Sequence, residues 1–260
     1  MAGALEGKAA LVSGASKGIG RAVAIELARA GCDVAISARD KAGLAATAEA
    51  VRALGRRALV HPADLREPAA MAGFVEAAAK GLGRIDIVVS NAGATKRGDF
   101  FTLTDGDFLD GFLLKFHGAV RLARAAWPHL KAANGLVIII SGSGGKTASA
   151  DFTIGGSVNA ALFNFTKALT QIGRRDGVRV VCISPGSFET DRLKGRIATL
   201  ARERGIDEAA ARALSLADAG LTRYGDPPEI GRLAVFLASD AATTINGAII
   251  EIDGGITRAI

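Results

Sequence analysis

LVSGASKGIGR, residues 11–21, carries an apolar run into three glycines, Gly14, Gly18 and Gly20, and then into the opening of an amphipathic helix. Glycine lets a chain turn sharply and lie close to a bound molecule, and the first turn of a helix offers unpaired N–H groups and the positive end of a dipole. The stretch therefore reads as a cradle for a pyrophosphate. Its setting supports that reading. Residues 8–13 have the pattern of a buried parallel strand, 19–30 of a helix and 33–37 of a second strand, which together make one βαβ unit of a doubly wound α/β domain.

The whole 260-residue chain fits one such domain, spanning 1–260, and with 49% hydrophobic residues it can fill a large core. Its longest apolar run, 136–140, is strand-sized and far too short to span a membrane. The opening MAGALEGK lacks a basic leader followed by a long apolar segment, so a cytoplasmic protein is expected. Cys32 and Cys182 have no CxxC spacing and read as small buried hydrophobes. His61, His117 and His129 lack ligand spacing, so no metal site is expected. The net charge of +6 suits an anionic ligand, but Lys and Arg are scattered among acids without interleaved aromatics, so neither nucleic acid nor membrane is an expected partner.

Cofactor choice in a βαβ unit is made where the second strand ends. A carboxylate there accepts from a free ribose 2′-hydroxyl, and a guanidinium favours a 2′-phosphate. Here the chain offers Ser37, Ala38 and Arg39, with Lys17 in the glycine loop as a second cation, so NADP(H) is expected over NAD(H); Asp40 beside Arg39 is the opposing feature. A helix over 41–54 and a short strand over 58–61 follow, and Asp64 is placed either to meet an adenine amino group or to cap the helix that starts near Glu67. A fourth strand, 85–90, closes in the tight turn Asn91-Ala92-Gly93; a sixth strand is expected over 178–183, a helix over 229–239 and a last strand over 248–252.

In these motifs the chain resembles the short-chain dehydrogenase/reductase family. The glycine motif matches SGASKGIG, the Asn-Asn-Ala-Gly turn matches Ser90 to Gly93 with one change, and the adenine-side Asp matches Asp64. Pro185-Gly186, Thr190 and a terminal strand ending at Asp253-Gly254-Gly255 complete the likeness. The resemblance implies a parallel sheet of about seven strands with helices on both faces and a nicotinamide cofactor. Its contacts would be Gly14, Ser16, Lys17, Gly18, Ile19, Gly20, Arg39, Asp64, Leu65, Asn91, Ala92, Gly93, Pro185, Gly186 and Thr190. It also implies a substrate lid at about 187–222 and a homotetramer or homodimer built through the long central helices and the C-terminal strand.

The family's chemistry uses a Tyr to pass a proton, a Lys four residues later, a Ser to steady the substrate oxygen and an Asn on the preceding long helix. By resemblance those positions fall on Gly155, Asn159, Gly142 and Lys115, and the single tyrosine, Tyr224, lies in a structural loop. The amine and the amide have in effect changed places. Lys115 is therefore expected to reach into the volume left at Gly155, held there by Asn159, and to act as proton donor or partner of an anion, since a partly dry pocket lowers a lysine pKa. A lysine snorkelling to solvent, or one in a subunit interface, is the competing reading. Ser141 is the remaining catalytic candidate, and Gly142 with Gly155 should open a pocket beside the nicotinamide. Gly145-Lys146-Thr147 echoes a P-loop ending, but Ile140 stands where the leading glycine is required. Two functions follow: an atypical NADP(H)-dependent oxidoreductase acting on a carbonyl, imine or activated double bond, or a catalytically inactive cofactor-binding or scaffold protein of the same fold. The small-molecule substrate is not identified by the sequence.

Overall fold

The computed structural model describes residues 3–258. Seven strands, β1 (Ala9–Ser13), β2 (Asp33–Ser37), β3 (Ala58–Val60), β4 (Ile87–Ser90), β5 (Leu136–Ile140), β6 (Arg179–Pro185) and β7 (Ile249–Ile252), form one sheet in the order β3-β2-β1-β4-β5-β6-β7. Every neighbouring pair is parallel. Strands β1, β4 and β5 are buried at every position, which is why they read as continuous apolar runs rather than alternating ones.

Helices cover both faces. On one side α1 (Gly18–Arg29), α2 (Lys41–Arg52) and α9 (Pro227–Ala238) bury Val23, Leu27, Leu44, Val51 and Ile230 against the sheet. On the other, α3 (Pro68–Leu82), α5 (Gly118–Ala133) and α6 (Thr153–Asp176) bury Phe74, Leu122, Leu130, Val158 and Leu162. After β3 the chain returns to the far side of β1, so the direction of sheet growth reverses between β1 and β4. In open α/β sheets ligands bind outside the carboxyl ends of the strands at such a reversal. Between α4 (Asp105–Gly111) and α5 the backbone makes a π-helical turn, Phe112–His117, and Lys115 lies within it. Within residues 187–222, where a lid is expected, the chain forms α7 (Asp191–Arg204) and α8 (Glu208–Ala219), which close round a small apolar cluster of Leu193, Ile197, Ala201, Ala211 and Tyr224.

The element edges differ from the sequence expectation in ways that partners explain. Strand β6 runs on to Pro185 because Ser184 and Pro185 still have β7 neighbours in Glu251 and Ile252. Helix α9 starts at Pro227, not at Glu229: proline suits the first helical turn, where its missing N–H is no loss, and the Glu229 carboxylate reaches back to accept the Asp226 N–H at 2.9 Å. Asp64 does not cap α3; its carboxylate accepts the Arg66 N–H at 3.0 Å in a local turn. Both cysteines are buried free thiols, and burial pushes each thiol up to about 12. Among the described residues no helix is long and apolar enough to cross a membrane.

Candidate active site

The crevice above β1 and β4 is built by two turns locked to each other. Asn91 Nδ2 donates to the carbonyls of Ser13 and Gly14, each at 3.1 Å, while Ser13 Oγ accepts from the N–H groups of Asn91 (3.0 Å) and Ala92 (3.1 Å). The glycines are steric requirements here. Gly14 and Gly18 have φ of +68° and +56°, a Cβ on Gly14 would lie 2.8 Å from Ala92 Cα, and one on Gly20 would overlap the Gly14 carbonyl. Helix α1 then begins at Gly18 with no side-chain cap and no acid in its first turn, so its leading N–H groups are not competed for from within the chain. A cradle so lined fits the pyrophosphate of a dinucleotide.

At the adenosine end, Arg39 is exposed and 3.9 Å from Asp64 Oδ2. Asp40, which the sequence set against an NADP(H) reading, instead accepts the Gly43 N–H at 3.0 Å as the cap of α2. Lys17 stands 3.7 Å from Asp191 at the start of the lid. Ser16 and Leu65 are buried, and Ile19 packs on the core beneath the loop. At the nicotinamide end, Gly186 N donates to Ile252 O at 3.1 Å, and a Cβ there would lie 2.7 Å from Asp253 Cβ. Thr190 caps α7, and its methyl group faces Gly18, 3.4 Å from where a Cβ would stand.

Beside the Asn91-Ala92-Gly93 turn lies Lys115. Its stem runs along Gly93, where an added Cβ would come within 2.9 Å of Lys115 Cγ and Cδ. Its Nζ donates to Asn159 Oδ1 at 2.6 Å and to Ser141 O at 3.0 Å. The residue retains some surface, but the amine is hemmed in by protein, and this desolvation, with the charge of Arg192 adding to it, lowers the Lys115 pKa to about 7. The π-helical turn is what presents this side chain: such turns widen a helix locally and recur at functional sites. Asn159 is buried on α6.

Two expectations are corrected. Gly142 and Gly155 do not open a pocket. A Cβ on Gly155 would overlap the ring of Phe152, and one on Gly142 would lie 2.9 Å from Asn159 Nδ2, so an aromatic ring and an amide already occupy those directions. Lys115 accordingly meets Asn159 and Ser141 rather than entering a void at Gly155. Nor is the Ser141 hydroxyl free, since it donates to the Asn159 carbonyl at 3.1 Å. It ties β5 to α6, and the Ser141 carbonyl, not its hydroxyl, serves Lys115.

Sequence reasoning missed Phe152, Arg97 and Arg192. The Arg97 guanidinium lies over the Phe152 ring, 3.8 Å from its centroid, and its Nη1 donates to Asp151 Oδ2 at 2.7 Å. Arg192 Nη2 donates to Gly93 O at 2.8 Å and so joins the lid to the turn that carries Lys115. The signal in the sequence was the adjacency of Asp151 and Phe152 to the altered Gly155. Arg97, in a loop, and Arg192, on α7, come from distant parts of the chain and leave no local trace.

Comparison with known proteins finds relatives along nearly the whole chain. Residues 14–257 match the family model described as enoyl-(acyl carrier protein) reductase. An uncharacterized oxidoreductase of Mycobacterium tuberculosis (strain CDC 1551 / Oshkosh) is 35% identical over 97% of this chain and 93% of its own. The crystal structure of L-sorbose reductase from Gluconobacter frateurii, complexed with NADPH and L-sorbose, superposes with a TM-score of 0.95 at 28% identity over 100% of both chains. A 7α-hydroxysteroid dehydrogenase complexed with NADH and 7-oxo glycochenodeoxycholic acid superposes with a TM-score of 0.87 at 26% identity, over 96% of this chain and 94% of that one.

Proposed function

The chain belongs to the short-chain dehydrogenase/reductase family of oxidoreductases, and we propose that it is an atypical NADP(H)-dependent member in which Lys115 carries the proton. Its substrate is a carbonyl, an imine or an activated double bond. The family's Tyr, Lys, Ser and Asn positions are held by Gly155, Asn159, Gly142 and Lys115, so the usual phenolic relay has no counterpart. The observation that carries the proposal is the Lys115 amine between Asn159 Oδ1 and the Ser141 carbonyl, beside the Gly93 turn.

When bound, a reduced nicotinamide supplies hydride. The chain holds the cofactor through the glycine cradle and the uncapped start of α1, with Arg39 and Lys17 favouring a 2′-phosphate over a free hydroxyl. An ammonium has three N–H donors, of which the Asn159 and Ser141 oxygens use two, leaving the third for a substrate atom. A carbonyl oxygen that gains charge as its carbon accepts hydride takes that proton, and the amine, left neutral, is reprotonated from solvent. A pKa of about 7 lets the group give up and regain a proton at neutral pH, the condition for acid–base work. Asn159 acts as a positioning residue, fixed through its own carbonyl by the Ser141 hydroxyl.

The second reading, a cofactor-binding protein without redox turnover, draws on Phe152, whose ring fills the space next to Gly155. NADPH oxidation measured with a panel of ketones, quinones, imines and enones separates the two. Turnover that falls at least about a hundredfold in Lys115→Met, with NADPH affinity retained, supports the proton role. Tight NADPH binding with every panel member left unconsumed would favour the second reading.

A further inference from the structure

Three arginines gather at the mouth of the cleft. Arg97 lies over the Phe152 ring on the Gly155 side of the site, and Arg192 reaches from α7 to the Gly93 carbonyl on the other, where the Lys115 stem passes. Arg196 follows Arg192 by one turn of α7 and has no hydrogen-bond or ion-pair partner among the described residues. All three remain open to solvent.

Of the three, Arg192 and Arg196 have no carboxylate partner among the described residues. Asp151 pairs with Arg97 at 2.7 Å, and Asp191, at the start of α7, stands by Lys17. The guanidinium groups are close enough to act on one another. Partial desolvation and then the charge of Arg97 hold Arg192 and Arg196 below the usual arginine range, and Arg192 in turn depresses Lys115. A cluster of like charge weakens the closed form of a cleft, and an anion held in it removes that repulsion. The cofactor phosphates have partners of their own in the α1 N-terminus, Lys17 and Arg39, of which Lys17 also meets Asp191 at the start of α7. The fork of a guanidinium matches a carboxylate with two parallel hydrogen bonds.

Resting on the oxidoreductase reading above, we infer that the substrate carries a carboxylate within a few atoms of its reducible group, received by Arg192 and Arg196 on α7 and by Arg97 across the cleft. The carboxylate anchors the substrate while Lys115 meets the reacting oxygen. The substrate class is then an oxo-acid, and its neutral ester or amide is a poor match.

The test uses 2-, 3- and 4-oxocarboxylates and their methyl esters with NADPH, for the native protein and for Arg196→Gln and Arg192→Gln. In parallel, calorimetry follows binding of the corresponding saturated carboxylates and methyl esters to NADP+-loaded protein. The expected result is a kcat/KM preference for acid over ester of about ten- to a hundredfold, shrinking about tenfold or more in each variant. A preference that is absent, or unchanged in both variants, overturns the inference. So does a preference for phosphorylated oxo compounds over carboxylates, which would identify a phosphate site. Arginine-dependent binding of carboxylates without turnover would keep the anion site and overturn the redox reading, whereas turnover of neutral compounds alone would do the reverse.

Discussion

The Lys115 amine makes a prediction that needs neither substrate nor cofactor. An ordinary lysine titrates at 10.5 and this one at about 7, so between those values the unfolded chain holds a proton that the native protein does not. Stability rises with pH wherever the unfolded state binds more protons, at about 1.4 kcal/mol per pH unit for one proton. The sign is therefore fixed. Below pH 7 both states are charged and the native protein carries the full cost of an enclosed ammonium; that cost shrinks from pH 7 to 10.5 and vanishes above. The whole shift corresponds to about 5 kcal/mol as an upper limit, reduced by residual solvent contact and by the Asn159 and Ser141 acceptors, which favour the charged form. The assay is urea unfolding of the native protein and Lys115→Met from pH 6 to 10. Loss of the two hydrogen bonds offsets the variant by a constant, and the buried cysteines, which lower stability as the unfolded thiols ionise, do so in both proteins. The difference between the two curves isolates Lys115. It should climb by roughly 1 kcal/mol per unit above pH 7. A difference that stays flat over that range would mean the amine titrates as an ordinary lysine, and the acid–base role would lose its basis.

Two more perturbations probe the cleft. Gly155→Ala should cost about 1–3 kcal/mol in urea unfolding because its methyl group overlaps the Phe152 ring, and the cost should largely disappear in the Phe152→Ala background, giving a coupling above about 1 kcal/mol. Additive losses would place the ring elsewhere in solution. Arg39→Ala should weaken NADPH binding by about tenfold or more in calorimetry while leaving NADH within about twofold; equal losses for both cofactors would remove the guanidinium from 2′-phosphate recognition.

Most of the fold was legible because its signals are local. Glycines at 14 and 18 are demanded by a positive φ and the one at 20 by the Gly14 carbonyl, and the buried strands announce themselves as unbroken apolar runs. The edges were less so, because the end of β6 is set by its register with β7 and not by residues 184 and 185. At the site, the exchanged positions of amine and amide pointed to the neighbourhood of Lys115 and Asn159. The expected void did not follow, since a glycine records that a side chain is missing and not what fills its place. Phe152 does so from three residues earlier, by closing over the start of α6. The π-helical turn was also invisible in a sequence whose composition is helical throughout. The arginines come together only when the loop at 97 and the start of α7 are brought to one crevice.

The lid helices α7 and α8 close on a cluster that shares no member with either core beneath the sheet. Its own packing is thus independent of the cores, and two polar tethers, Arg192 to the Gly93 carbonyl and Lys17 to Asp191, join it to the crevice. Solvent-exposed contacts of this kind are worth about 0–1 kcal/mol each. Loss of both tethers thus changes the ratio of raised to lowered lid by no more than about thirtyfold, so thermal agitation alone can release them. Breaking these two contacts therefore leaves the packing of α7 and α8 on their own cluster intact.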